Sequence, residues 1–151
     1  MTQPPSPDVT ALSQQLLTSW NERDVASFAA FFADDGSMGG FDGSHFEGLT
    51  AIAAHLAQIF ADHPTPTYVA KIREVRVLAP DVTLLRAIAG LVPHGPTDLN
   101  PATNAIQSLV AVHRQDGWRI ALFQNTPAQF HGRPELADQL TSELRALLSF
   151  V

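Results

Sequence analysis

From Gln107 to Thr126 the chain reads as two apolar strands on either side of Asp116-Gly117, and the second strand ends in Gln124, Asn125 and Thr126. Asp-Gly is a turn dipeptide because both residues tolerate left-handed backbone, so the stretch predicts a β-hairpin. A two-residue type I′ turn there sets Gln115 opposite Trp118, His113 opposite Ile120, Leu109 opposite Gln124 and Gln107 opposite Thr126. On that phase one face gathers Trp118, Ile120 and Leu122 with a polar end of Gln107, Gln124 and Thr126. The other carries Val110, Val112, Ala121 and Phe123, with Ser108 beside Asn125. Both faces are largely apolar, whereas an antiparallel sheet in a small monomer leaves one face wet. Helices on one side and a second subunit on the other account for this, and a homodimer through the sheet is the economical reading. The alternative is that the C-terminal helix alone covers the second face.

Length and charge narrow the classes further. A chain of 151 residues, 45% hydrophobic, is one domain able to bury a core without disulfides or metal. Fifteen acids against 9 bases give a net charge of −6 with no basic stripe, which argues against nucleic acid as a partner. With no cysteine, a thiolate nucleophile and Cys-based zinc or iron–sulfur sites are excluded. No apolar run approaches the ~20 residues needed to cross a bilayer, and the first ten residues lack the charged and apolar regions of a secretory signal. The default compartment is the cytoplasm, with no membrane partner.

Along the chain, residues 1–7 read as a flexible tail, 8–130 as the folded domain and 131–151 as a C-terminal helix packed on it or on a dimer partner. Ser6-Pro7-Asp8 predicts a helix start, and Leu12, Leu16, Leu17 and Trp20 recur at helical spacing. Asp24 caps a second, short helix, which Asp34-Asp35-Gly36 is expected to close. The following stretch to Gly48 is too glycine-rich for a long strand. A third helix runs from about Thr50 to Asp62 and stops at His63-Pro64. The period then changes to two over Tyr68–Leu78 and Val82–Val92. Residues 93–103 form a proline-rich loop placed to act as a lid, and Leu136, Leu140, Leu144, Leu147 and Leu148 give the last helix an apolar stripe. Helices with a short strand pair, then a four-strand antiparallel sheet and a final helix, define an α+β fold.

Candidate chemistry gathers in two places. The glycine-rich segment holds Met38, Phe41, Asp42, His45 and Phe46, with His55 on the next helix. A His/Asp pair can exchange protons near neutrality, with the carboxylate orienting the imidazole. The plainer reading makes Asp42-Gly43 a turn, His45 a solvated side chain and His55 a hydrogen-bonded core histidine. The second place is the amide end of the hairpin. No phosphate-binding loop, dinucleotide fingerprint, nucleophile elbow or His-based metal spacing occurs, so no metal and no cofactor are expected.

Four motifs occur in order: Trp20-Asn-x-Arg-Asp24, Phe31-Phe-Ala-Asp-Asp35-Gly, His45-x-x-Gly48 followed by Ala51-Ile52, and Asp116-Gly-Trp-Arg-Ile120 leading to Phe123-Gln-Asn-Thr126. Over residues 8–130 they resemble the nuclear transport factor 2-like superfamily, and within it the SgcJ/EcaC group related to SnoaL-like proteins. The resemblance implies a curved antiparallel sheet wrapped on the N-terminal helices as a cone, an internal cavity open at one end, and dimerisation through the sheet. Relatives include steroid isomerases, polyketide cyclases, dehydratases and non-catalytic association domains, so it implies a cavity rather than a reaction. Cyclases and isomerases of the superfamily set a carboxylate in the cavity. The strand cores here offer only Glu74, between Arg73 and Arg76.

The resulting expectation is a dimeric protein binding a hydrophobic, oxygenated metabolite, with cofactor-free cyclisation, dehydration or isomerisation of a polyketide- or enediyne-type intermediate as the candidate reaction. His45, Asp42 and Asn125 are the candidate catalytic residues. Trp20, Met38, Phe41, Phe46, His55, Gln107 and Gln124 are the candidate ligand contacts. A non-catalytic binding module and a pure association domain are the rivals.

Overall fold

The computed structural model describes residues 7–95 and 97–148, with side chains from Val9 onward. Residues 1–6, with the expected tail and Ser6 cap, and residues 149–151 lie outside the described residues. Helix α1 spans Pro7–Asn21 and α2 Val25–Ala30. As the sequence predicts, Asp24 caps α2, its carboxylate accepting from the Ser27 backbone N–H at 3.1 Å. Strand β1 covers Phe32–Gly39, β2 His45–Glu47, and helix α3 Leu49–Asp62. Strands β3 (Thr67–Ala79), β4 (Val82–Val92), β5 (Ala105–Arg114) and β6 (Gly117–Pro127) follow, and α4 spans Pro134–Leu147.

The six strands form one curved, unclosed sheet in the order β2-β1-β6-β5-β4-β3. Every neighbouring pair is antiparallel except β1 with β6, which is parallel. This corrects the sequence reading of residues 34–36, which are not a helix stop but the interior of β1. Tertiary pairing overrides the local turn chemistry: Ile120 N–H donates to the Phe31 carbonyl at 2.8 Å and Gly48 N–H to the Gly36 carbonyl at 2.7 Å. Gly36 is required because a Cβ there would lie 2.6 Å from the Ile120 carbonyl oxygen.

The hairpin is also phased differently from the expectation. Arg114 pairs with Gly117, so the turn residues are Gln115 and Asp116. Type I′ needs left-handed backbone at both central positions. Among the described residues only Arg23 and Phe130 adopt positive φ without being glycine, while Gly117 sits at φ 99. Near the turn the pairing is therefore displaced two residues from the predicted register, which preserves the faces. Ala121 then bulges out between Val110 and Ala111, and beyond it the displacement is one residue, which inverts them. Gln107 pairs with Asn125 and Ser108 with Gln124.

The inner face packs on the first three helices around Leu85, Leu109, Ile120 and Phe123 from the sheet and Leu16, Phe28, Ile52 and Leu56 from the helices. On the outer face α4 buries Leu140 and Leu144 against Ile88. The proline-rich loop is not a lid on the inner face. Leu99 is 5% exposed within that outer cluster, and Asp98 accepts two hydrogen bonds from Arg145 at 2.9 and 3.1 Å. Helix α4 leaves Leu84, Val110, Val112 and Leu122 half-buried on the rest of the outer face. No described helix is long and apolar enough to cross a membrane.

Candidate functional site

Across the inner face one register row runs Ile72, Ala87, Gln107, Asn125. Gln107 is 2% exposed and Asn125 7%, and the Gln107 Nε2 donates to Asn125 Oδ1 at 3.0 Å. That bond uses one donor and one acceptor of the pair. Gln107 Oε1 and Asn125 Nδ2 make no hydrogen bond to another described residue, yet they are not among the fully enclosed atoms without a partner, which are Thr83 Oγ1 and Asn104 Oδ1. The neighbouring row is Ala70, Ala89 and Ala105, three small side chains.

Beside this row α1 and β3 enclose a groove of about 310 Å³, floored by Ala70, Ile72 and Ala87 and rimmed by Ser13, Thr18, Asn21 and Tyr68. Ala87 adjoins Gln107 on the next strand, so the amide pair lies just inward of the groove floor. Burial pushes the Tyr68 phenol up to about 12, which keeps it a hydrogen-bond donor at any physiological pH. Asn21 fixes the backbone beneath it, accepting from Tyr68 N–H at 2.7 Å and donating to its carbonyl at 3.1 Å. Sequence reasoning missed Tyr68 and Ser13. The period-two pattern of β3 was the available signal for Tyr68, since it places Tyr68 on one face with Ala70 and Ile72.

The predicted site residues divide between the two faces. Met38, Phe46, Gln107 and Asn125 lie on the inner face, where Met38 pairs with Phe46 on one side and Phe123 on the other. His55 joins them from α3, stacked on Phe46 with ring centroids 3.8 Å apart. Trp20 packs edge-on against Phe60 at 5.2 Å, lies 5.4 Å from Tyr68, and donates from Nε1 to the Pro66 carbonyl. It braces the end of the groove. His45 pairs with Gly39, and Gly39 with Gln124, which puts His45 and Gln124 on the opposite face from Asn125. The Gln124 side chain occupies the space a Cβ on Gly39 would need. His45 lies 3.4 Å from Glu47 with half its side chain in solvent. Asp42 holds the β1–β2 turn, accepting from Ser44 N–H at 2.9 Å and Ser44 Oγ at 2.6 Å, bonds that keep its carboxyl below the usual range. Phe41 is half-buried in that turn.

Electrostatically the interior is neutral. The buried polar residues among those described are Ser13, Ser19, Thr83, Asn104, Gln107, Asn125 and Thr141, none of them charged. Besides Tyr68, His55 is a titratable group beside the inner face. Burial holds its imidazole below its ordinary 6.5, with Asp42 opposing the shift. The neutral ring is a competent proton acceptor at pH 7. Because protonation is disfavoured in the fold, the stability linked to His55 is complete above pH 6.5 and is lost as pH falls toward the folded value. A His55→Phe variant should therefore show a flatter urea midpoint than the parent as pH falls below 6.5. Equal slopes for the two proteins would remove His55 from that role. No group of His, Asp or Glu suited to holding a metal occurs among the described residues.

A curved sheet folded over helices defines a class of small α+β domain seen in many solved structures. One is a cystatin-like domain of unknown function from Nostoc punctiforme, 21% identical over 100% of both chains with a TM-score of 0.80. Another is a putative calcium/calmodulin-dependent protein kinase type II association domain from Thiobacillus denitrificans, 20% identical over 84% of this chain and 100% of that one, TM-score 0.71. A putative dehydratase of the NTF2-like family from Streptomyces avermitilis is 16% identical over 82% of this chain and 99% of its own, TM-score 0.64. At these identities the likeness concerns fold alone. The SnoaL-like domain matches residues 9–125, and the chain belongs to that family. No curated protein is significantly similar in sequence.

Proposed function

We propose that this protein binds a neutral, hydrophobic, oxygenated small molecule on the inner face of its sheet, with Gln107 and Asn125 gripping a ligand oxygen. The observation that carries this is the buried amide pair, which satisfies itself with one hydrogen bond and leaves one acceptor and one donor open. A hydroxy-ketone or carboxamide edge matches that pattern, while a charged ligand would have no counter-ion there. Met38, Phe46 and Tyr68 supply apolar wall. His55 is the residue placed to accept a proton if binding leads to dehydration or isomerisation, in place of His45 and Asp42. The four ordered motifs support the SgcJ/EcaC group, and with it a biosynthetic, polyketide- or enediyne-type substrate. The test is titration of ¹⁵N-labelled protein with neutral aromatic hydroxy-ketones. Saturable shifts of the Gln107 and Asn125 side-chain amides are expected, and shifts confined to the exposed surface for every compound would overturn the reading.

A second role is favoured by one observation, the half-buried apolar outer face of Leu84, Val110, Val112 and Leu122. Pairing of two such faces gives a homodimer that would shield it. Light scattering is expected to give twice the chain mass for the parent and the chain mass for Leu122→Glu. A monomeric parent would remove the association role.

A further inference from the structure

On the opposite side of the sheet from the amide pair, α4 and the outer face enclose a groove of about 230 Å³ lined by Arg73, Glu74, Arg86, Ile88, Ile106, Phe130 and Leu140 along with Ala87. We infer that this groove binds an amphipathic monocarboxylate, its head on Arg86 and its tail along Ile88, Ile106, Phe130 and Leu140.

Charge is the first support. Arg86 stands in the middle of the outer face, paired in register with Glu74 and Ser108, and it is exposed. Most other bases are already engaged. Arg73 holds Glu143 through two hydrogen bonds at 2.5 and 2.7 Å, and Lys71 lies 3.4 Å from the same carboxylate. Arg114, Arg119 and Arg145 pair with Asp35, Asp116 and Asp98. Arg86 has no acidic partner among the described residues, because Glu74 turns to Arg76 at 3.9 Å instead. Of the groove's own lining Arg73 and Arg86 are bases and Glu74 is an acid, so with Arg73 held by Glu143 it is Arg86 that is left to meet a ligand. An anion entering the groove therefore meets Arg86 as its counter-ion.

Shape is the second. The wall opposite Arg86 is apolar, with Ile88 3% and Leu140 4% exposed and Phe130 and Ile106 packed beside them. Phe130 lines the groove and holds φ at +43, a left-handed conformation that bulky side chains avoid. At roughly 30 Å³ for each group the size of a water molecule, a volume of 230 Å³ takes on the order of eight heavy atoms, the tail of a medium-chain acid.

Octanoate is the probe, with 1-octanol as its uncharged counterpart. Titration followed by methyl NMR is expected to shift Ile88, Ile106 and Leu140 saturably, with 1-octanol at least tenfold weaker. Arg86→Gln, at an exposed position, should weaken octanoate at least tenfold and leave 1-octanol unchanged. Arg86→Glu should move the preference to octylammonium. The inference is overturned by equal affinity for acid and alcohol, by an Arg86→Gln protein that binds octanoate as the parent does, by the absence of saturable shifts, or by shifts at the Gln107 and Asn125 amides instead. Since those amides lie on the other face, failure here leaves the proposed inner site standing, and failure there leaves this groove standing.

Discussion

Converting Asn125 alone to leucine will lower stability by about 1–3 kcal/mol, whereas converting Gln107 to methionine and Asn125 to leucine together will restore most of that loss. The single change removes the acceptor of the Gln107 Nε2 and strands a donor on a residue 2% exposed. The double change replaces both amides with apolar groups of similar size among Ala87, Leu109 and Phe123, where they fit the surroundings better than the amides did. A double-mutant cycle from urea unfolding measures the coupling directly. If the double variant is as stable as the parent but calorimetric titration no longer detects hydroxy-ketone binding, the pair serves binding and not folding. Additive losses would instead show that the two amides are not coupled, and the paired-amide reading of the inner face would go with them.

Truncating Leu144 to alanine will cost about 2–5 kcal/mol. Leu144 is fully buried, and its methyl lies 3.2 Å from where a Cβ on Gly90 would stand, so little around it can collapse into the space left. Its partners Ile88, Leu99 and Leu140 join three separate segments, namely β4, the proline-rich loop and α4. The Asn104 Nδ2 donates to Thr141 Oγ1 at 3.0 Å within the same contact, tying the loop to the helix a second time. The surface pairs of α4 with Arg73 and Asp98 add little, since solvent screens exposed ion pairs. Hydrogen exchange should therefore show α4 and residues 97–104 losing protection together in Leu144→Ala. Loss of α4 alone would show that the loop is held by its own contacts.

Much of the architecture was legible because it follows from local chemistry. Asp24 announces α2 through its carboxylate, His63-Pro64 stops α3, and the period-two run from Val82 to Val92 matches β4 at both ends. Strand β1 was not legible. Asp34-Asp35-Gly36 carries every sign of a turn, and only the approach of Ile120 to within contact of Gly36 makes it strand. The site was half legible for a similar reason. Residue types drew attention to Gln107, Asn125, Met38, Phe46 and His55, all of which lie on or beside the inner face. His45 and Gln124 have equally suggestive side chains, but the sheet turns them the other way.

The amino-acid sequence by itself determined that this chain is an α+β domain with helices before a meander, an apolar sheet, and amides at the far end of its last hairpin. Those properties depend on residue type and periodicity. Which amides share a face was decided only in the tertiary structure. It rests on one bulged residue, Ala121, and on a turn shifted to Gln115-Asp116. Alanine carries no compositional mark of a bulge, and a side-chain period of two means that a single extra residue reverses every position beyond it. The pairing of Gln107 with Asn125, and with it the candidate site, is a consequence of that parity.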